Sequence, residues 1–226
     1  GDFSGYSDIA RGTAKMLGVD LVINFRMPFF AKNLQDYWNR WHISLSHWMR
    51  DYLFQPLVRT GLKPALAAFA TMVLIGIWHG AAWKYLAFGI WHGLLLALFD
   101  RTRRLRRQVS KHLPPRLWEI LGTLATFHAA WLGLSIFGCK WLGRWPDMAE
   151  NIVNHLVWDR DGGILLIKMI YFISPLLLLH AVQERRGYDF HEGCRGPLRL
   201  FLCGALLLSI LHHGVVEGGV FVYFQF

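Results

Sequence analysis

"ALAAFATMVLIGIWHGAAWKYLAFGIWHGLLLALF", residues 65–99, carries a single charge, Lys84, in thirty-five positions. One straight helix of that length would run about 52 Å, against a bilayer hydrocarbon core of roughly 30 Å. The chain must break, and "AAWK" at 81–84 is the place, since the one charge falls there. Two short apolar segments result, 65–82 and 85–99. The same stretch spells Gly-Ile-Trp-His-Gly twice, at Gly76–Gly80 and Gly89–Gly93. In an unbroken helix the thirteen residues between His79 and His92 would set them about 20 Å apart on nearly opposite faces. Only a turn between them lets both reach one cavity.

Outward from this block, 117–138, 163–182 and 198–216 are each close to the roughly 20 apolar residues a membrane-crossing helix needs. The loops between them alternate in charge. Residues 101–116 hold seven cations and no acid, 139–162 hold three cations against four acids, and 183–199 are basic again. Positive loops stay on the cytoplasmic side, so the order is cytoplasmic, external, cytoplasmic. Overall, 54% of the residues are hydrophobic and only 17% charged, below the roughly 25% of soluble domains. Eleven tryptophans suit membrane–water interfaces. The expected fold is therefore all-α: a polytopic integral membrane protein.

The net charge of +9 could serve nucleic acid. Its concentration in one loop beside apolar segments fits anionic lipid instead, and no nucleic-acid partner is expected. Three cysteines without CxxC spacing give neither a zinc site nor a disulfide framework. No GxSxG elbow, Walker loop or dinucleotide fingerprint is present.

Residues 33–57, "NLQDYWNRWHISLSHWMRDYLFQPL", differ from the spans. Leu34, Trp38, Trp41, Leu45, Trp48 and Tyr52 recur at alternating steps of four and three. That is one helical stripe, with Arg40, His47, Arg50 and Asp51 off it. It predicts an amphipathic helix lying in the interface, with His42 at the edge of the stripe.

An ionisable residue inside a membrane segment is costly, so a functional role is the default reading. Among the eleven histidines, His112, His155 and His191 fall in loops, while His128, His180, His212 and His213 suit interhelical hydrogen bonding. His79 and His92 are better placed for chemistry. Flanking glycines let a substrate or another backbone approach closely, and Trp78 can wall the site. A neutral imidazole in a partly dry cavity can take the proton of an attacking hydroxyl. Neither histidine has a second ligand at metal-binding spacing, so no metal is expected. A proton-relaying transporter would call for acids inside the spans, where only Glu119 falls, near an end. A third reading is a scaffold that docks a secretory complex through the interfacial helix.

"DFSGYSDIARGTAKMLG", "NFRMPFFAKNLQDYWNRWHISLSHWMRDYLFQPL", "GIWHGAAWKYLAFGIWHG" and the terminal "VYFQF" together resemble the membrane-bound O-acyltransferase (MBOAT) family. The resemblance is to its bacterial branch, which includes the alginate-acetylating (AlgI-like) and teichoic-acid D-alanylating (DltB-like) proteins. It implies that 1–226 is the C-terminal portion of one multi-pass domain in the bacterial inner membrane. The family's intramembrane histidine falls on His79 and its second polar position on His42, the implied catalytic pair. Asn39, Trp41, Trp78 and His92 are the implied substrate-binding residues. No bound cofactor or metal is implied. The donor is a thioester, acetyl-CoA or an acyl carrier, met from the cytoplasm near Arg101–Arg107. The implied partners are the lipid bilayer, a polysaccharide acceptor and a periplasmic SGNH-type acetyltransferase. "SLSHWMRDYLFQPL" is more similar to the acetylating branch, so acetyl transfer to an exported, alginate-like polysaccharide is expected over D-alanyl transfer to teichoic acid.

Overall fold

A computed structural model describes residues 2–147, 150, 160–187, 193–194 and 196–213. Among these, all regular secondary structure is helical. A first compact unit covers Gly1–Asn154. It holds α1 (Asp2–Met16), a 3-10 turn (Pro28–Phe30), α2 (Leu34–Arg40), α3 (Ile43–Met49), α4 (Gln55–Arg59), α5 (Pro64–His79), α6 (Trp83–Arg101), α7 (Arg103–Ser110) and α8 (Pro115–Gly138). A second unit contains α9 (Arg160–Arg186) and α10 (Gly196–His213). His155, His191, residues 214–216 and the terminal "VYFQF" lie outside the described residues.

The long apolar stretch breaks at "GAA". Gly80 takes φ 151°, which a side chain would resist, Ala82 is extended, and α6 starts at Trp83. α5 and α6 then run back along each other at very close range. A Cβ on Gly89 would meet the Met72 carbonyl at 2.5 Å, and one on Gly93 would meet the Phe69 ring at 2.9 Å. Small residues at such crossings let helices without a strong hydrophobic drive gain dispersion contacts. α8 closes the other side of α6, where the Trp91 indole Nε1 donates to the Ala129 carbonyl at 2.9 Å.

α8, with 24 residues, is the one helix among the described residues long and apolar enough to cross a membrane. Leu117, Leu121, Leu124 and Trp131 stand exposed along it, as lipid-facing side chains would. α5 and the apolar part of α10, Gly196–Leu208, are shorter.

The single helix expected over 33–57 is not formed. Asn33 caps α2 through its side chain, accepting from the Asp36 N–H at 2.9 Å. The helix stops at Trp41, which is extended, and His42 turns left-handed at φ 42° and ψ 57° before α3 begins. After Met49 the chain widens into a π-turn, Arg50–Phe54. The apolar stripe is split accordingly. Trp38, Leu45 and Met49 pack with Met72 and Ile75 of α5, while Trp48 and Tyr52 are 52% and 66% exposed. Periodicity alone could not show the break, because its cause is distant in sequence: Asn24 and Arg26 hydrogen-bond across the turn. The basic loop expected after α6 is also largely helical, as α7.

Candidate active site

His79 is the last residue of α5, where Gly80 ends the helix. Its half-buried ring is edge-on to Phe137 and Trp78, with centroids 5.0 Å away in each case. Phe88, on α6, lies 6.2 Å from the His79 ring and 4.7 Å from that of His92. The turn between the two repeats thus brings both histidines to one phenyl wall.

Their surroundings differ. His92 is 0% exposed, stacked parallel to Tyr37 at 6.2 Å and edge-on to Trp38 at 5.1 Å. Gly133 of α8 leaves the space its Nε2 edge occupies. Neither of its ring nitrogens has a protein partner among the described residues. His92 is a core residue, and it does not face open space.

His42 caps no helix with its side chain; its strained turn places the ring between Phe3, at 4.8 Å, and Phe25, at 6.1 Å. Burial lowers the imidazole to a pKa of about 4, against an upward shift from its backbone hydrogen bond, so the ring is neutral at ordinary pH. The two histidines assigned to catalysis come from different places in the fold, His79 from the end of α5 and His42 from the turn between α2 and α3.

The expected substrate-binding residues scatter. Trp78 is 55% exposed and lies against His79. Trp41 stacks on Tyr37 at 5.6 Å and meets Phe25 edge-on, so it forms an inner wall. Asn39 is exposed and lines a separate groove of about 700 Å³ between α2–α3, α5, α6 and α7. Arg103, Arg106 and Arg107 edge this groove, and Met72, Ile75 and Trp38 form its apolar side. Trp38 has the groove on one side and His92 on the other. Among the described residues no three His, Cys, Asp or Glu side chains converge as a metal would require.

Sequence reading missed Phe88, Phe137, Tyr37 and Phe3. Phe88 was within reach, standing one helical turn before His92. Phe137 has no local signal, because only the packing of α8 on α6 brings it to His79.

The described residues thus form an apolar helical body with two half-buried histidines, His42 and His79, and a separate groove edged by arginines. Residues 2–140 match the family model "MBOAT, membrane-bound O-acyltransferase family", and the chain belongs to that family. It is similar to the peptidoglycan O-acetyltransferase of Helicobacter pylori, at 36% identity over 250 residues, covering 100% of this chain and 46% of that protein. It is also similar to the teichoic acid D-alanyltransferase of Bacillus subtilis, at 36% identity over 150 residues, covering 62% of this chain and 38% of that protein. A third relative, the "Probable alginate O-acetylase AlgI" of Pseudomonas aeruginosa, is 38% identical over 161 residues, covering 70% of this chain and 30% of the relative. The chain spans less than half the length of each.

Proposed function

We propose that this chain carries the acyl-transfer centre of a multi-pass bacterial inner-membrane O-acyltransferase, with His79 as general base. The observation that carries this reading is the position of His79: a half-buried imidazole at the interruption of an apolar helix, walled by Trp78, Phe88 and Phe137. With 16 residues, α5 is about 24 Å long. Starting from the basic Arg59–Lys63 side, it ends inside a core of roughly 30 Å, so His79 stands within the slab, towards its far face.

His79 takes the proton of the acceptor hydroxyl as that oxygen attacks the thioester carbonyl carbon. The new C–O bond forms, the C–S bond breaks, and the thiolate leaves to be protonated as the free thiol. His42, held neutral, offers a ring N–H to the carbonyl oxygen as negative charge develops there. The donor, acetyl-CoA or an acyl carrier thioester, approaches from the cytoplasmic side, where Arg103 and Arg107 edge the groove and attract phosphate.

Acetyl is the favoured acyl group, because the alignment with the peptidoglycan O-acetyltransferase covers the whole chain and that with the D-alanyltransferase covers 62% of it. The acceptor is then an exported polysaccharide, reached directly or through a periplasmic SGNH-type acetyltransferase. The test is to reconstitute the full-length protein in liposomes and measure thiol release from acetyl-CoA and from a D-alanyl carrier thioester. Release from acetyl-CoA that is lost in His79→Ala supports the reading. Release from the D-alanyl thioester alone replaces acetyl by D-alanyl, and release from neither favours a scaffold.

A further inference from the structure

We infer that Asn24 is a positioning residue that locks the left-handed turn at His42 and so fixes the His42 ring; its relevance to catalysis rests on the proposed reading of the histidine pair. A residue bearing a Cβ seldom adopts φ 42°, and it persists only where the surroundings over-determine it. Asn24 supplies that over-determination. Its Oδ1 accepts from both the N–H and the hydroxyl of Ser44, at 3.1 and 2.7 Å, and its carbonyl accepts from the Ile43 N–H at 2.9 Å. The two residues after His42 are thereby tied to one asparagine. On the other side of the turn the Arg26 N–H donates to the Arg40 carbonyl at 2.9 Å, so a short non-helical segment, 24–26, brackets the break from both ends.

Asn24 also reaches away from the turn. Its Nδ2 donates to the Ser7 hydroxyl at 3.4 Å, and Ser7 is buried on α1. Phe3 stands one helical turn before Ser7 on the same face of α1, and its ring packs on His42. This gives the block "DFSGYSDIARG" a definite task. One face of α1 covers the His42 ring with Phe3 and anchors the Asn24 amide with Ser7. The amide orientation follows from this network, since the oxygen must face the two Ser44 donors.

The test uses the full-length protein in membranes, the variants Asn24→Leu and Asn24→Asp, and diethyl pyrocarbonate as a probe of histidine accessibility. His42 and His47 share the tryptic peptide Trp41–Arg50, so exposed His47 is an internal reference and fully buried His92 reports general unfolding. Asn24→Leu keeps the shape and removes the acceptor; labelling of His42 should rise about tenfold relative to His47, with His92 still protected. Asn24→Asp keeps the acceptor oxygens and should label like wild type. His42 labelling unchanged in Asn24→Leu, equal labelling in the two variants, or His92 labelling rising together with His42 would each overturn the inference. Transfer kinetics are read separately. A fall in kcat with unchanged donor KM in Asn24→Leu supports a positioning role in catalysis, whereas normal transfer with a freed His42 removes His42 from the mechanism and leaves the turn intact.

Discussion

Gly76 and Gly89, the first residues of the two Gly-Ile-Trp-His-Gly repeats, face each other where α5 meets α6: a methyl group on Gly76 would stand 3.2 Å from the Gly89 Cα. The repeated pentapeptide is thus in part a packing device. Its glycines admit a neighbouring backbone, one of the two roles that the sequence offered for them. Gly76→Ala or Gly89→Ala should destabilise the fold by about 1–3 kcal/mol through overpacking. Gly12→Ala, at a site with nothing within 4 Å, should be neutral or slightly stabilising. Thermal unfolding of the detergent-solubilised full-length protein compares them.

The hydrogen bond from Trp91 to Ala129 is the clasp between α6 and α8, and α8 brings Phe137 to His79. Trp91→Phe should lower stability by about 1 kcal/mol. Transfer activity should fall by more than the loss of folded protein explains, since Phe137 loses its fixed place. Activity normalised to folded protein is the check.

Much of this was legible in the residues, and the failures share a cause. The break near 81–84 follows from length against bilayer thickness, and with it the place of His79 at the end of the first apolar segment. The break at His42 does not, because Leu34 to Tyr52 keep a clean helical period while Asn24 and Arg26 impose the turn from a separate segment. The same holds for His92. Its motif matches that of His79, yet Tyr37 and Trp38 seal it, and only tertiary packing separates the twins.

His42 gives a pH dependence with a definite sign. Its pKa is held at about 4 by burial, while the unfolded chain titrates near the ordinary 6.5. Between these values the unfolded state binds a proton that the folded state refuses, so stability rises with pH across this window. It should therefore fall as pH drops from about 6.5 towards 4. Thermal unfolding over that range should show a smaller acid loss in His42→Gln than in wild type.

Arg103 and Arg107 edge the groove, whereas Arg101 and Arg104 do not. Arg103→Gln with Arg107→Gln should raise the donor KM about tenfold and leave kcat within a factor of about two, as lost ground-state attraction requires. Arg101→Gln with Arg104→Gln should change KM little. Steady-state thiol release at fixed ionic strength distinguishes the pairs.

The most direct test is the acyl content of exported polysaccharide in cells making full-length protein with His79→Ala, at matched membrane abundance. Removing a general base should lower acylation about 100-fold or more. Polysaccharide that keeps its wild-type acyl content would show that the proton leaves by another route and that His79 is not the base.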